Sequence, residues 1–183
     1  DTANENEKMW IVYLSTYPPR ECGIATFTAD LVTNFDELFA LHEETKVIAF
    51  NTGSGPTPAY PHKVILQIPE NDAHAYREAA KRLNDMPQVK LVSIQHEFGI
   101  FGNNYGANIL AFLDEILKPV TVTFHTVLPR PSEEMRQVMS NIIAAVDRVI
   151  VMTTTAKMLV ETVYAADPDK VKLIPHGIHP LPY

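Results

Sequence analysis

A chain of 183 residues is long enough for one α/β domain and too short for two of ordinary size. Its 46% hydrophobic and 20% charged residues fall in the ordinary globular range and exclude a disordered polymer. With 22 acidic against 15 basic side chains the formal charge is −7, which argues against a nucleic-acid or anionic-membrane surface, because phosphates demand clustered cations. The one cysteine, Cys22, leaves no internal disulfide and no paired-cysteine metal motif. No apolar run approaches the roughly 20 residues that span a bilayer. Residues 1–8 are polar and acidic, with neither a basic start nor an apolar stretch, and are expected to be a flexible lead-in to a cytoplasmic domain.

The first apolar run, Met9–Ser15 (MWIVYLS), is short and continuously apolar, as in a strand covered on both faces. Beyond the loop at 16–23 (TYPPRECG), Ile24, Phe27, Leu31, Phe35 and Leu38 recur at intervals of three and four and predict a helix with one buried stripe. A second strand is expected over 45–50 (TKVIAF). The turn-rich segment 51–61 (NTGSGPTPAYP) then leads to a third run, 63–68 (KVILQI), with no helix between them. Asn71 or Asp72 offers an N-cap for a helix carrying Tyr76, Ala79, Ala80 and Leu83. The next run, 90–96 (KLVSIQH), precedes a loop and a helix built on Ile109, Phe112, Leu113 and Ile116. After 120–125 (VTVTFH), Ser132 with Glu133 and Glu134 behind it caps a helix with Met135, Val138, Met139, Ile142 and Val146. Finally come 148–152 (RVIVM), a helix capped by Thr153 with Met158, Leu159, Val163 and Tyr164, and 171–175 (VKLIP). Strands alternating with helices imply right-handed crossovers and a mostly parallel, doubly wound α/β sheet of about seven strands in a single domain.

In such a sheet, ligands gather at the carboxyl ends of the strands. Four loops leave those ends: 16–23 (TYPPRECG), 96–105 (HEFGIFGNNY), 125–131 (HTVLPRP) and 175–179 (PHGIH). Together they hold His96, His125, His176, His179, Arg20, Glu97 and Arg130, a concentration of polar groups that a bare scaffold does not need. Gly23 opens a helix, where free amides and a partial positive charge suit a phosphate, although one glycine before a helix also serves as a plain tight turn. Neither GxGxxG nor GxxxxGK[ST] is present, which argues against a dinucleotide dehydrogenase and a P-loop NTPase. His96-Glu97 reads as a metal pair, an acid/base pair or an acceptor-binding pair; no HExxH follows, so metal ranks last. Phe98, Phe101 and Tyr105 form either an aromatic lip for a sugar face or packing under the sheet edge. Arg20 reaches a phosphate or an acceptor, or stays a solvated cation. His125 either closes the sheet or serves the site; His176 and His179 offer a weak metal pair with no third ligand in view, and His176 more simply bonds backbone at the chain's exit. Cys22 is most simply a small apolar residue, since no base for a nucleophile is placed.

Taken together, these loops resemble the N-terminal half of GT-B glycosyltransferases, in particular the retaining family 4 enzymes. YPPRECGIATFTADL resembles the family's first strand-loop-helix, with Cys22-Gly23 where a glycine pair usually stands. IQHEFGIFGNNYG resembles an acceptor-side loop, VTVTFHT the strand that ends in the active-site histidine, and VKLIPHGI the segment leading out of the domain. The resemblance runs from about residue 10 to residue 178. It implies a Rossmann-like acceptor domain over 9–179, with 180–183 beginning a linker to a C-terminal donor domain that is absent, along with its paired glutamates. The implied activity of the intact enzyme is metal-independent, retaining transfer of a sugar from a nucleoside diphosphate sugar to a carbohydrate or glycan acceptor, with no cofactor beyond that co-substrate. On this view His125 is the catalytic residue; Gly23, Ile24 and Arg20 hold the donor phosphates; His96, Glu97, Phe98 and Tyr105 hold the acceptor; and His176 and Gly177 sit at the hinge. This chain alone is expected to be inactive and to self-associate through its uncovered cleft wall. The alternatives are a noncatalytic sugar- or nucleotide-binding module of flavodoxin-like fold, and a small hydrolase using His96-Glu97. The absence of GxSxG lowers the serine-hydrolase form of the latter.

Overall fold

The computed structural model describes residues 8–39, 41–52 and 58–177. The lead-in residues 1–7, and Ile178, His179 and the linker 180–183, lie outside the described residues. Seven strands form one sheet in the order β3-β2-β1-β4-β5-β6-β7: β1 (Met9–Ser15), β2 (Glu43–Asn51), β3 (Val64–Pro69), β4 (Val89–His96), β5 (Val120–Phe124), β6 (Arg148–Val151) and β7 (Val171–Leu173). Every neighbouring pair is parallel, so the sheet is wholly rather than mostly parallel. The helices are α1 (Gly23–Phe39), α2 (Ala73–Asn84), the short turn α3 (Asn103–Gly106), α4 (Ile109–Leu113), α5 (Glu133–Ala145) and α6 (Thr154–Thr162). Among the described residues no helix is long and apolar enough to cross a membrane.

Strand alternation divides the interior into two cores. Val12 and Leu14 of β1, Val92 and Ile94 of β4, Val122 and Phe124 of β5, and Val149 and Val151 of β6 join the large core beneath α2, α4, α5 and α6. Each such aliphatic or aromatic side chain removed from water contributes roughly 1.5–3 kcal/mol. Tyr13, Val47 and Ala49, which point the other way, pack with Val32 of α1 in a smaller core. The crossover rule explains the asymmetry. The connection from β1 to β2 runs in one lateral direction and those from β3 through β7 in the other, so α1 has a sheet face to itself. Leu91, Thr121, Ile150 and Met152, on that second face, are half-buried without a helix above them. They floor an open, mostly apolar groove of about 750 Å³ walled by Phe27, Leu31 and Phe35 of α1.

Two expected stripes are corrected. In α1 the residues facing the sheet are Ala25, Thr28 and Val32; Phe27, Leu31 and Phe35 face the groove, and Leu38 is 77% exposed. Small residues let α1 sit close, locked by the 2.7 Å hydrogen bond between the Ser15 and Thr28 hydroxyls. In α6 the inward residue is Val160, while Met158 is exposed. The helix expected through Ile116 ends at Leu113. Capping follows the sequence: Asp72 accepts from the His74 and Ala75 amides, Ser132 from Met135, and Thr153 from Ala156.

Candidate functional site

The loops after β1, β4 and β5 open at one end of the sheet, and α1 begins there. At its first turn, Gly23 has nothing within 4 Å of where a Cβ would stand. The Gly23 and Ile24 amides have no partner among the described residues, whereas Ala25 donates to the Cys22 sulfur and Thr26 to the Cys22 carbonyl. Cys22 thus acts as a sulfur cap, also touched by Thr16 Oγ1 at 3.0 Å. The resulting pair of open amides at a helix start can receive an anion.

One turn on, Phe27 meets His125 edge-on at 4.7 Å and His176 at 5.0 Å. His125 follows β5 immediately, its amide donating to the His96 carbonyl at 3.0 Å. Its Nε2 lies 3.0 Å from Oε1 of Gln95, a fully buried amide whose Nε2 donates to Ser93 Oγ at 3.3 Å and Thr123 Oγ1 at 3.5 Å. Burial pushes the His125 imidazole down from 6.5 to about 4; Glu97 opposes that shift and His176 reinforces it. His125 is therefore a neutral ring at physiological pH, with a hydrogen-bonding nitrogen still available. His176 bonds the Gly177 carbonyl through Nδ1 and is exposed with it at the groove's end.

His96 faces the opposite way. As the residue after Gln95 on β4, its side chain enters the large core, is 0% exposed, and stands among Phe98 at 5.4 Å, Phe101 at 5.5 Å and Phe124 at 5.0 Å. Neither ring nitrogen has a hydrogen-bond partner among the described residues, and burial holds the ring neutral, its pKa down to about 3. Here the expectation is corrected: His96 offers no atom to an acceptor, because strand alternation sends it away from the side of the sheet that carries His125. Phe98 is half-buried against His96 and Phe101 is fully buried, so these rings pack the loop and do not form a free lip. Tyr105 is 41% exposed on a left-handed backbone (φ 59) and remains available. So does Glu97 in part: its carboxylate takes the Thr126 hydroxyl at 2.6 Å and the Phe98 amide at 2.9 Å, which fixes its orientation beside His125.

Arg20 is not a free cation. It donates to the Phe50 carbonyl at 3.2 Å and the Glu70 carboxylate at 3.3 Å, so a phosphate has to compete with Glu70 for it. Glu70 also anchors the loop after β4, since its carbonyl accepts from Asn108 Nδ2 at 2.9 Å and Tyr76 Oη at 3.1 Å. Gly102, with φ +78, packs there so closely that a Cβ would lie 2.2 Å from the Glu70 carbonyl. Arg130 is exposed outside the cluster, and His179 lies outside the described residues. No three or more His, Cys, Asp or Glu side chains converge for a metal ion among the described residues.

The sequence reading missed Gln95. Its signal was the alternation Ser93–Ile94–Gln95–His96, which puts two polar side chains on one face and the histidine on the other.

Residues 23–180 match the sequence profile described as Glycosyltransferase Family 4. No curated protein sequence matches the chain. Among solved structures it is similar to an alpha-glucosyltransferase in complex with UDP and a 13-mer DNA containing a central A:G mismatch. The TM-score is 0.57 at 17% identity, over 90% of this chain and 40% of that one. That likeness establishes the fold, and the chain spans less than half the length of the protein it resembles.

Proposed function

The chain belongs to glycosyltransferase family 4, and from that premise we propose that it is the acceptor-side half of a retaining, metal-independent transferase. In this reading a sugar passes from a nucleoside diphosphate sugar to a carbohydrate or glycan acceptor in the cytoplasm. The donor half is supplied by a second domain, and these residues alone are inactive. The observation that carries the reading is that Phe27, one turn into α1, holds His125 edge-on at 4.7 Å, while the same helix opens with the unpartnered Gly23 and Ile24 amides at the carboxyl end of the sheet. The two groups have complementary chemistry. Unpartnered amides at a helix start stabilise the negative charge that grows on a departing diphosphate. A neutral imidazole beside them hydrogen-bonds a sugar hydroxyl without attracting the phosphates. Glu97 and Tyr105 orient the acceptor, while Arg20 stays with Glu70 unless a phosphate draws it away. His176 and Gly177 line the exit toward the second domain.

The test is His125→Ala in the protein carrying both domains, assayed for transfer from a nucleoside diphosphate sugar. Turnover should fall by about 10²-fold or more, in the range of losing a preorganised polar contact in the transition state. The far-UV spectrum should match the parent's, with stability lower by about 1–3 kcal/mol because the buried Gln95 Oε1 loses its donor. An unchanged rate would remove His125 from the site.

A further inference from the structure

Three features meet at Gln95. It is fully buried, it lies on the face of β4 that looks toward α1, and among the described residues its side chain is the hydrogen-bond partner of the His125 Nε2, at 3.0 Å. The geometry points to Gln95 as a positioning residue: by accepting the Nε2 proton of His125 it fixes the imidazole in one tautomer and leaves the Nδ1 lone pair facing the site as a hydrogen-bond acceptor. This inference rests on the reading of His125 given above and adds what kind of ligand group that histidine takes.

The amide's own partners set its direction. Gln95 Nε2 has two protons, and two hydroxyl oxygens, Ser93 Oγ and Thr123 Oγ1, stand within reach of it. With both donors directed there, Oε1 is left toward His125, and an amide oxygen can only accept. The neutral ring has one N–H, which must therefore be at Nε2. Phe27, edge-on at 4.7 Å, limits how far the ring can turn. The charged and titratable neighbours are Glu97, held by Thr126 and its adjoining amide, His176 across Phe27, and the buried His96 at the end of β4; among the described residues none is hydrogen-bonded to the ring.

The consequence is selectivity by hydrogen-bond sense. A lone pair at Nδ1 accepts from a ligand hydroxyl and repels phosphate or carboxylate oxygens. A polyhydroxylated ligand is thus met at His125 by an acceptor and at Gly23–Ile24 by donors, so its hydroxyl and anionic ends are told apart. Ser93 and Thr123 act on His125 through Gln95, by taking the protons of its amide nitrogen.

Nitrogen-15 NMR of the imidazoles in this chain at neutral pH, with His125 assigned by its absence in His125→Ala, reads the tautomer directly. The parent should show His125 as the Nε2–H form alone, with a slowly exchanging Nε2 proton. Gln95→Glu, which still accepts at that position, should keep both features. Gln95→Leu should lose the slow Nε2 proton and admit the Nδ1–H form, with the amide spectrum elsewhere unchanged. A parent ring protonated at Nδ1 would overturn the inference, as would a fast-exchanging Nε2 proton in the parent. So would a folded Gln95→Leu protein whose ring is identical to the parent's. If Gln95→Leu does not fold, the parent and Gln95→Glu spectra still decide. These outcomes are independent of the reaction: an Nε2–H ring together with full turnover in His125→Ala would sink the transferase role and leave the Gln95 assignment standing.

Discussion

Replacing His96 with phenylalanine tests the assignment of that ring to the core. Its surroundings are Phe98, Phe101 and Phe124, with centroids 5.0–5.5 Å away, and both nitrogens are unpartnered, so a phenyl ring suits the site better than an imidazole. The folded ring titrates near 3 against an ordinary value of 6.5, so the native state resists a proton that the unfolded chain accepts. Stability from this residue is therefore complete above the unfolded value and drains as pH falls, levelling only once the folded ring itself protonates. At pH 5 a histidine in the unfolded chain is almost wholly charged, which amounts to about 2 kcal/mol lost relative to pH 7. His125, held near 4, adds a loss of similar size in parent and variant alike. Urea unfolding followed by circular dichroism at pH 7 and pH 5 should thus show His96→Phe losing about 2 kcal/mol less than the parent between the two conditions. Removing two unsatisfied nitrogens should also leave it no less stable at pH 7. If both proteins lose the same stability on acidification, His96 is not held neutral inside the fold and the corrected placement is wrong.

Glu70→Gln should lower stability by about 1–2 kcal/mol, because the partly buried Arg20 loses its counter-charge, and added salt should narrow the difference in a thermal melt. Gly102→Ala should cost about 2–4 kcal/mol, since the added methyl collides with the Glu70 carbonyl at a backbone angle that side chains disfavour; chemical denaturation reads this directly. Sedimentation velocity should show concentration-dependent association of this chain through the groove beside α1, reduced by Phe35→Glu. Strictly monomeric behaviour of the parent at high concentration would refute that expectation.

The order of elements was readable because strands covered on both faces are short apolar runs, and Asp72, Ser132 and Thr153 mark helix starts by chemistry that acts locally. The inward face of α1 was not. Its large residues suggested a core stripe, yet close packing on the sheet selects the small ones, Ala25 and Thr28, and the large ones flank the groove. Which way a helix turns its faces depends on how the sheet is covered elsewhere, and that is a property of the topology. The site was half legible. Histidines at strand ends could be counted, but the alternation that separates Gln95 from His96 had to be followed residue by residue, and the pairing of Arg20 with Glu70 joins residues 50 positions apart.

Glu70 bears two loads on different atoms: its carboxylate carries Arg20, and its backbone oxygen carries Asn108 and Tyr76 beside the closely fitted Gly102. An incoming anion that pulls Arg20 away strips only the carboxylate. The carbonyl keeps its grip, because the main chain does not follow the side chain. The Arg20 side chain can thus be displaced while the loop held by Asn108 stays in register, although one amino acid holds both.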